Sequence, residues 1–135
     1  MELPKIVYTY LLTVPIFFAI DMVWLGLVAK QVYAKQIGTL LKTDVNWPAA
    51  MIFYLAYIFG IIYFAVLPGL EKDSVRTVIT NAALFGGLAY ATYDLTNLAT
   101  LKGWPLSISV IDITWGIFLT TTVALASYGV AQWLR

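Results

Sequence analysis

Four long apolar segments dominate this chain and limit what it can fold into. They cover residues 6–29, 49–70, 77–101 and 103–134. Each is longer than the ~20 residues that a helix needs to cross ~30 Å of hydrocarbon. The chain is also 61% hydrophobic and 11% charged, whereas soluble proteins are about half apolar and a quarter charged. We therefore expect an all-α, integral membrane four-helix bundle that forms one transmembrane domain in a lipid bilayer.

The connection between the first two helices has a helical pattern of its own. Within residues 31–45 the apolar side chains fall at helical spacing, at Tyr33, Ile37, Leu40 and Leu41. This pattern suits a short helix lying in the membrane interface, and an ordinary structured loop explains it nearly as well. The four membrane helices are predicted at residues 5–30, 48–70, 76–101 and 105–134. Their even number predicts that both termini lie on one side of the membrane.

Basic residues do not orient the predicted bundle. Four lie with the termini and four at the opposite end, namely Lys5, Lys72, Arg76 and Arg135 against Lys30, Lys35, Lys42 and Lys102. The positive-inside rule compares such counts, and because the two counts are equal it does not predict which end faces the cytoplasm. The net charge of +1 argues against nucleic acid as a partner.

Histidine and cysteine are both absent from the sequence. Their absence excludes disulfides, thiolate chemistry and the usual haem and zinc sites. A glycine-rich phosphate loop and a nucleophile elbow are missing as well. We therefore expect no cofactor and leave any metal open. An enzyme, for example a lipid-modifying enzyme with paired carboxylates, is less favoured than a non-catalytic protein.

Two internal similarities suggest a repeat. Trp47 and Trp104 each precede a proline at the start of a predicted helix, and both indoles are expected in the headgroup belt. The residues around Asp21 in the first helix match the spacing of those around Asp94 in the third. Two parallel helical hairpin repeats would explain the match, and chance similarity between apolar helices explains it equally well.

Three aspartates, Asp21, Asp94 and Asp112, each lie inside a different apolar segment. An ionised carboxylate in hydrocarbon costs ~2.5 to 3.5 kcal/mol on insertion scales, and the apolar segments contain no lysine or arginine. Counting ~1.5 Å per helical residue places all three roughly 10 to 14 Å below the same surface. We expect their carboxylates to point inward and form one site, where at least one is protonated at neutral pH because like charges cannot all ionise.

Each aspartate is followed three residues later by a side chain that forms hydrogen bonds. The pairs are Asp21 with Trp24, Asp94 with Asn97, and Asp112 with Trp115. Residues at this spacing share a helix face, and Tyr93 is a further candidate donor. These seven residues are the candidate site for a ligand or a proton.

Several functions are consistent with such a group. The aspartates can serve as structural hydrogen bonds between helices, as in a non-catalytic accessory or assembly subunit. They can also form a polar cavity that binds or transports a proton, a cation or a small polar solute, which we favour. A pocket for a hydrophobic ligand is a third interpretation of the many aromatic residues. A homodimer is expected to accompany transport, with Gly86 and Gly87 or Gly116 at the contact.

Three sequence runs resemble a known family. They are YATYDLTNLATLKGWP at residues 90–105, IDMVWLG at residues 20–26 and DITWG at residues 112–116. They resemble the bacterial membrane proteins grouped as domain of unknown function 2177, and the likeness covers nearly the whole chain. The resemblance implies a four-helix protein of the bacterial inner membrane. It implies no reaction, ligand or site.

Overall fold

Four long helical rods make up the protein. The computed structural model describes residues 1–41 and 44–135. In this part of the chain the α-helices are α1 (Leu3–Trp24), α2 (Lys30–Ile37), α3 (Trp47–Ile61), α4 (Leu67–Lys72), α5 (Val75–Thr100) and α6 (Leu106–Leu134). Short π-helical segments join α1 to α2 and α3 to α4, at Leu25–Ala29 and Ile62–Val66. The protein is therefore an all-α membrane helical bundle, as the sequence predicts.

Three of the rods are long and apolar enough to cross a membrane. They are Leu3–Leu40, Trp47–Lys72 and Leu106–Leu134. The fourth, α5, has 26 residues, but polar residues that include Asn81, Asp94 and Asn97 lower its mean hydropathy. The least apolar rod is thus the one that carries the buried Asp94.

The first rod runs past Lys30, the residue where the first helix was expected to end. The chain continues through the π-helical segment into α2 and a 3₁₀ turn at Gly38–Leu40. Ile37 is buried against Trp104 and Ile108, so apolar packing holds this extension on the bundle. The segment predicted as a separate interfacial helix is thus mostly a continuation of α1. Lys42, which belonged to that prediction, lies outside the described residues.

The two tryptophans expected in the headgroup belt have different surroundings. Trp47 is exposed, which suits a belt position. Trp104 is buried, and its indole N–H donates a hydrogen bond to Ser109 Oγ at 3.0 Å. Trp104 thus packs inside the protein rather than facing lipid, because α2 covers this end of α6 and encloses the indole.

Helix α6 lies at the centre of the bundle and contacts the other three rods. It approaches α5 closely, since a Cβ atom on Gly86 would lie 2.6 Å from the carbonyl oxygen of Gly116. A Cβ atom on Gly116 would lie 2.2 Å from the Tyr90 ring, and one on Gly87 would lie 3.3 Å from Ile117. All three glycines face α6 or α5 within one chain. At Gly86 and Gly116 the chain itself occupies the space in which a second copy would pack.

A side chain compensates for the proline in the second rod. Pro68 has no N–H to donate to the carbonyl of Phe64, four residues earlier. Asn81 Nδ2 of α5 donates to that carbonyl instead, at 3.0 Å. The bond links α5 to the π-helical segment where the backbone pattern is already irregular.

We predict that Gly116→Ala destabilises the protein by about 1 to 3 kcal/mol, because the new methyl group overlaps the base of the Tyr90 ring. Gly129→Ala on the same helix is the matched control, since no atom lies within 4 Å of its added Cβ. This control should be neutral or stabilising by up to about 1 kcal/mol. Thermal unfolding in detergent measures both, and equal stability of the two variants would contradict the close packing of α5 and α6.

We also predict that Asn81→Leu lowers stability by about 1 kcal/mol, because it removes a hydrogen bond between helices. In the background of Pro68→Ala, Asn81→Leu should lower the stability by a smaller amount, because an alanine N–H can donate to the Phe64 carbonyl. Unfolding of the four proteins of this double-mutant cycle measures the coupling. Equal costs in both backgrounds would refute the link between Asn81 and Pro68.

Candidate functional site

A cavity of about 440 Å³ opens between the first rod, α3, α5 and α6. Two aspartates, Asp21 and Asp112, lie in its wall. Seven aromatic residues line it as well: Trp24, Tyr33, Phe53, Tyr54, Tyr90, Tyr93 and Trp115. Among the described residues no lysine or arginine contributes to this wall. The cavity thus combines acidic groups with aromatic rings, and we call it the acidic cavity.

Asp94 lies directly behind this wall. Its side chain has no exposed surface, and neither carboxyl oxygen has a hydrogen-bond partner within residues 1–41 and 44–135. The carboxyl group of Asp112 lies close enough to interact with it electrostatically. Two ionised carboxylates this close repel each other, so a shared proton or a bound cation is needed for both to remain there.

Asp21 is held by a residue of another helix. Its side chain is 5% exposed, and its Oδ1 accepts a hydrogen bond from Trp115 Nε1 at 3.4 Å. The Trp115 ring stacks on Trp24, with centroids 4.3 Å apart and planes 5° from parallel. The spacing predicted a pair of Trp115 and Asp112 on the same helix. The indole instead extends across to α1 and donates its hydrogen bond to Asp21.

Asp112 is half-buried and receives its hydrogen bond from the first rod. Tyr33 of α2 donates its hydroxyl hydrogen to Asp112 Oδ1 at 2.8 Å. Sequence reasoning missed this role because Tyr33 was assigned to an interfacial segment. The apolar spacing from Tyr33 to Ile37 was a usable signal, since it continues the helical pattern of α1 past Lys30.

Asn97 and Tyr93 lie one turn apart on α5, at the edge of the site. Tyr93 lines the cavity and is more than half exposed. Asn97 does not bond to Asp94, whose oxygens have no partner in the described residues. The expected pairing of Asp94 with Asn97 is therefore absent there.

The acidic groups are not arranged as a metal site. Within the described residues no group of three or more histidine, cysteine, aspartate or glutamate side chains could hold a metal ion. The arrangement offers other chemistry. The Asp94 and Asp112 pair can take up and release a proton, and the carboxylates in the wall can stabilise a positive charge in poorly solvated surroundings.

We predict that Tyr33→Phe destabilises the protein by about 0.6 to 2 kcal/mol, because it removes only the hydroxyl that donates to Asp112. Tyr63→Phe is the matched control, since Tyr63 is exposed and lies outside the acidic cavity. Thermal unfolding of both variants in detergent measures the difference. Equal stability would show that α2 is not held on α6 by this bond.

Comparison with known proteins identifies a family. Neither curated proteins nor solved structures gave a match to the chain. One family model, described as "Predicted membrane protein (DUF2177)", matches residues 6–129. The matched region includes Asp21, Asp94 and Asp112 and most of the chain. The protein therefore belongs to the DUF2177 family of predicted membrane proteins.

Proposed function

We propose that the protein binds a proton, a cation or a small polar solute in the acidic cavity and carries it across the membrane. One observation supports this proposal above the others. Asp94 is fully buried, its carboxyl oxygens have no partner among the described residues, and it lies next to a second carboxyl group in the cavity wall. A buried polar group without a partner costs free energy, so a proton, or a positive charge bound close to it in the cavity, is stabilised there.

The surroundings of Asp94 and Asp112 favour a positively charged species or a proton. The cavity wall contains two aspartates and, in the described residues, no basic side chain. Ionisable residues inside membrane segments commonly mark ion pathways and proton relays. When a cation enters, the shared proton can leave to water, so the charge of the site stays balanced. Such an exchange is the elementary step of proton-coupled transport.

The position of the protein in the cell is part of the proposal. The family resemblance supports a bacterial inner membrane. An even number of rods supports both termini on one side, with the end of α2 on the other. Because four rods make a thin wall, a homodimer also remains part of the transport proposal. Its contact must lie away from Gly86 and Gly116, which pack inside the chain.

A second candidate is a non-catalytic accessory or assembly subunit. Two observations favour it, because Asp21 and Asp112 each accept a hydrogen bond from another helix. Aspartates in that role need only accept hydrogen bonds. Asparagine provides an oxygen acceptor without a charge, so the two candidates predict different effects of the same substitution.

We predict that Asp94→Asn abolishes proton exchange while the protein still folds. Purified protein in liposomes with an entrapped pH dye is exposed to gradients of sodium, potassium or tetramethylammonium chloride, or of glycerol. The wild type should move protons faster than empty liposomes with at least one of these solutes. Asp94→Asn should lower that rate to the level of empty liposomes, because its amide cannot take up and release the proton.

Asp44→Asn is the control for this experiment, since Asp44 is exposed and lies outside the acidic cavity. It should leave the rate unchanged. If wild type and Asp94→Asn show equal rates with every solute, including benzyltrimethylammonium chloride, the transport proposal fails. Normal stability of Asp94→Asn would then favour the accessory subunit.

A further inference from the structure

We infer that the ligand of the acidic cavity is an organic cation with apolar substituents, of the quaternary ammonium class. This inference rests on the proposed function and narrows its substrate. It follows from the combination of aromatic rings, carboxylates and volume in one cavity, together with the unpartnered Asp94 behind its wall.

Aromatic rings form most of the cavity wall. Trp24 and Trp115 stack on one side, and Phe53 and Tyr54 of α3 line another part of the wall. The face of an aromatic ring attracts a cation, and tryptophan does so most strongly. Cages of such rings bind quaternary ammonium groups. A neutral solute would gain the apolar contacts but would not use the acidic groups.

The volume of the cavity also favours an organic ion. About 440 Å³ lies within the range of roughly 300 to 1,000 Å³ that is usual for small-molecule pockets. A bare metal ion prefers several oxygen ligands at short distance, and the described residues contain no acidic cluster arranged in that way. A larger ion with a dispersed charge needs no such shell, since it contacts the rings directly and the carboxylates at longer range.

Asp94 affects the charge of the cavity from behind its wall. It is fully buried, both carboxyl oxygens lack a hydrogen-bond partner in the described part of the chain, and it interacts electrostatically with Asp112 in the cavity wall. Without a ligand, a proton shared by this pair keeps one carboxyl group neutral. When the cation binds, the O–H bond of that carboxyl group breaks, the proton leaves to water, and the ammonium ion balances the new negative charge. No covalent bond to the ligand forms.

Within residues 1–41 and 44–135, the titratable groups that line the cavity are all acidic or phenolic. Asp21 of α1, Tyr33 of α2, Tyr54 of α3, and Tyr90 and Tyr93 of α5 surround the cavity. Tyrosine is neutral near pH 7, so the carboxyl groups account for the exchange of the proton. Cation binding should therefore weaken as the pH falls, because protons compete for the same carboxylates.

The test is calorimetric titration of purified protein in the uncharged detergent dodecyl maltoside. The ligand is benzyltrimethylammonium chloride. Sodium chloride and neopentylbenzene are compared with it, the latter being its neutral isostere with carbon in place of nitrogen. Heats from empty micelles are subtracted. Two buffers of different ionisation enthalpy give the number of protons released on binding.

We predict saturable binding of benzyltrimethylammonium that is at least about tenfold tighter than that of sodium or neopentylbenzene. A tenfold ratio of Kd corresponds to a difference of roughly 1.4 kcal/mol in binding free energy. Up to one proton should be released per cation bound. Asp112→Asn should weaken binding by about tenfold or more, because it removes a charge in a poorly solvated site. Asp44→Asn, the same change on the exposed surface, should have no effect.

A second pair of variants does not depend on the aspartates. Phe53 and Phe59 are both exposed residues of α3, but only Phe53 lines the acidic cavity. Phe53→Leu removes a ring while it keeps apolar volume, so it should weaken benzyltrimethylammonium binding severalfold. Phe59→Leu should leave binding unchanged.

Three results would overturn the inference. Equal binding of neopentylbenzene would indicate an apolar ligand pocket. Binding of benzyltrimethylammonium that survives both Asp112→Asn and Phe53→Leu would place it elsewhere on the protein. Binding of sodium, potassium or glycerol that depends on Asp112, without binding of benzyltrimethylammonium, would refute the organic cation and leave the proposed function intact. If none of these ligands binds and none drives proton movement, both the inference and the proposed function fail.

Discussion

The cost of placing carboxyl groups in an apolar membrane protein underlies the whole arrangement. Asp21 and Asp112 reduce this cost by accepting hydrogen bonds from Trp115 and Tyr33, which belong to other helices. Each bond therefore also joins two rods. Asp94 has no such donor in the described residues, so no hydrogen bond there reduces the cost of its burial.

Close packing of α5 on α6 makes this arrangement possible. Gly86 and Gly116 bring the two backbones together, and the Tyr90 ring fills the space beside Gly116. Further along the same pair of helices, Ser109 Oγ donates to the carbonyl oxygen of Asp94 at 3.1 Å. The aspartate is thus positioned by contacts of its backbone as well as by the helix that carries it.

Much of this fold follows from the sequence, because helix length and hydropathy depend on local composition. The four rods and the buried position of Asp94 could be predicted in this way. The hydrogen-bond partners could not, because counting three residues along one helix finds neighbours on that helix only. Trp115 and Tyr33 bind across helices, and that choice depends on how the rods pack. The burial of Trp104 has the same origin, since it depends on α2 covering the end of α6.

The two sides of the acidic cavity differ in how firmly the fold constrains them. Its acidic side belongs to α1, α2 and α6, where hydrogen bonds and a stacked tryptophan pair fix the side chains. The α3 side includes Phe53, an exposed residue in the first half of that helix, which lies outside the buried core. Substitution of such a residue alters the shape of the cavity with little loss of stability. Substitutions on the α3 side can therefore change the shape of the cavity without disturbing the side chains of its acidic side.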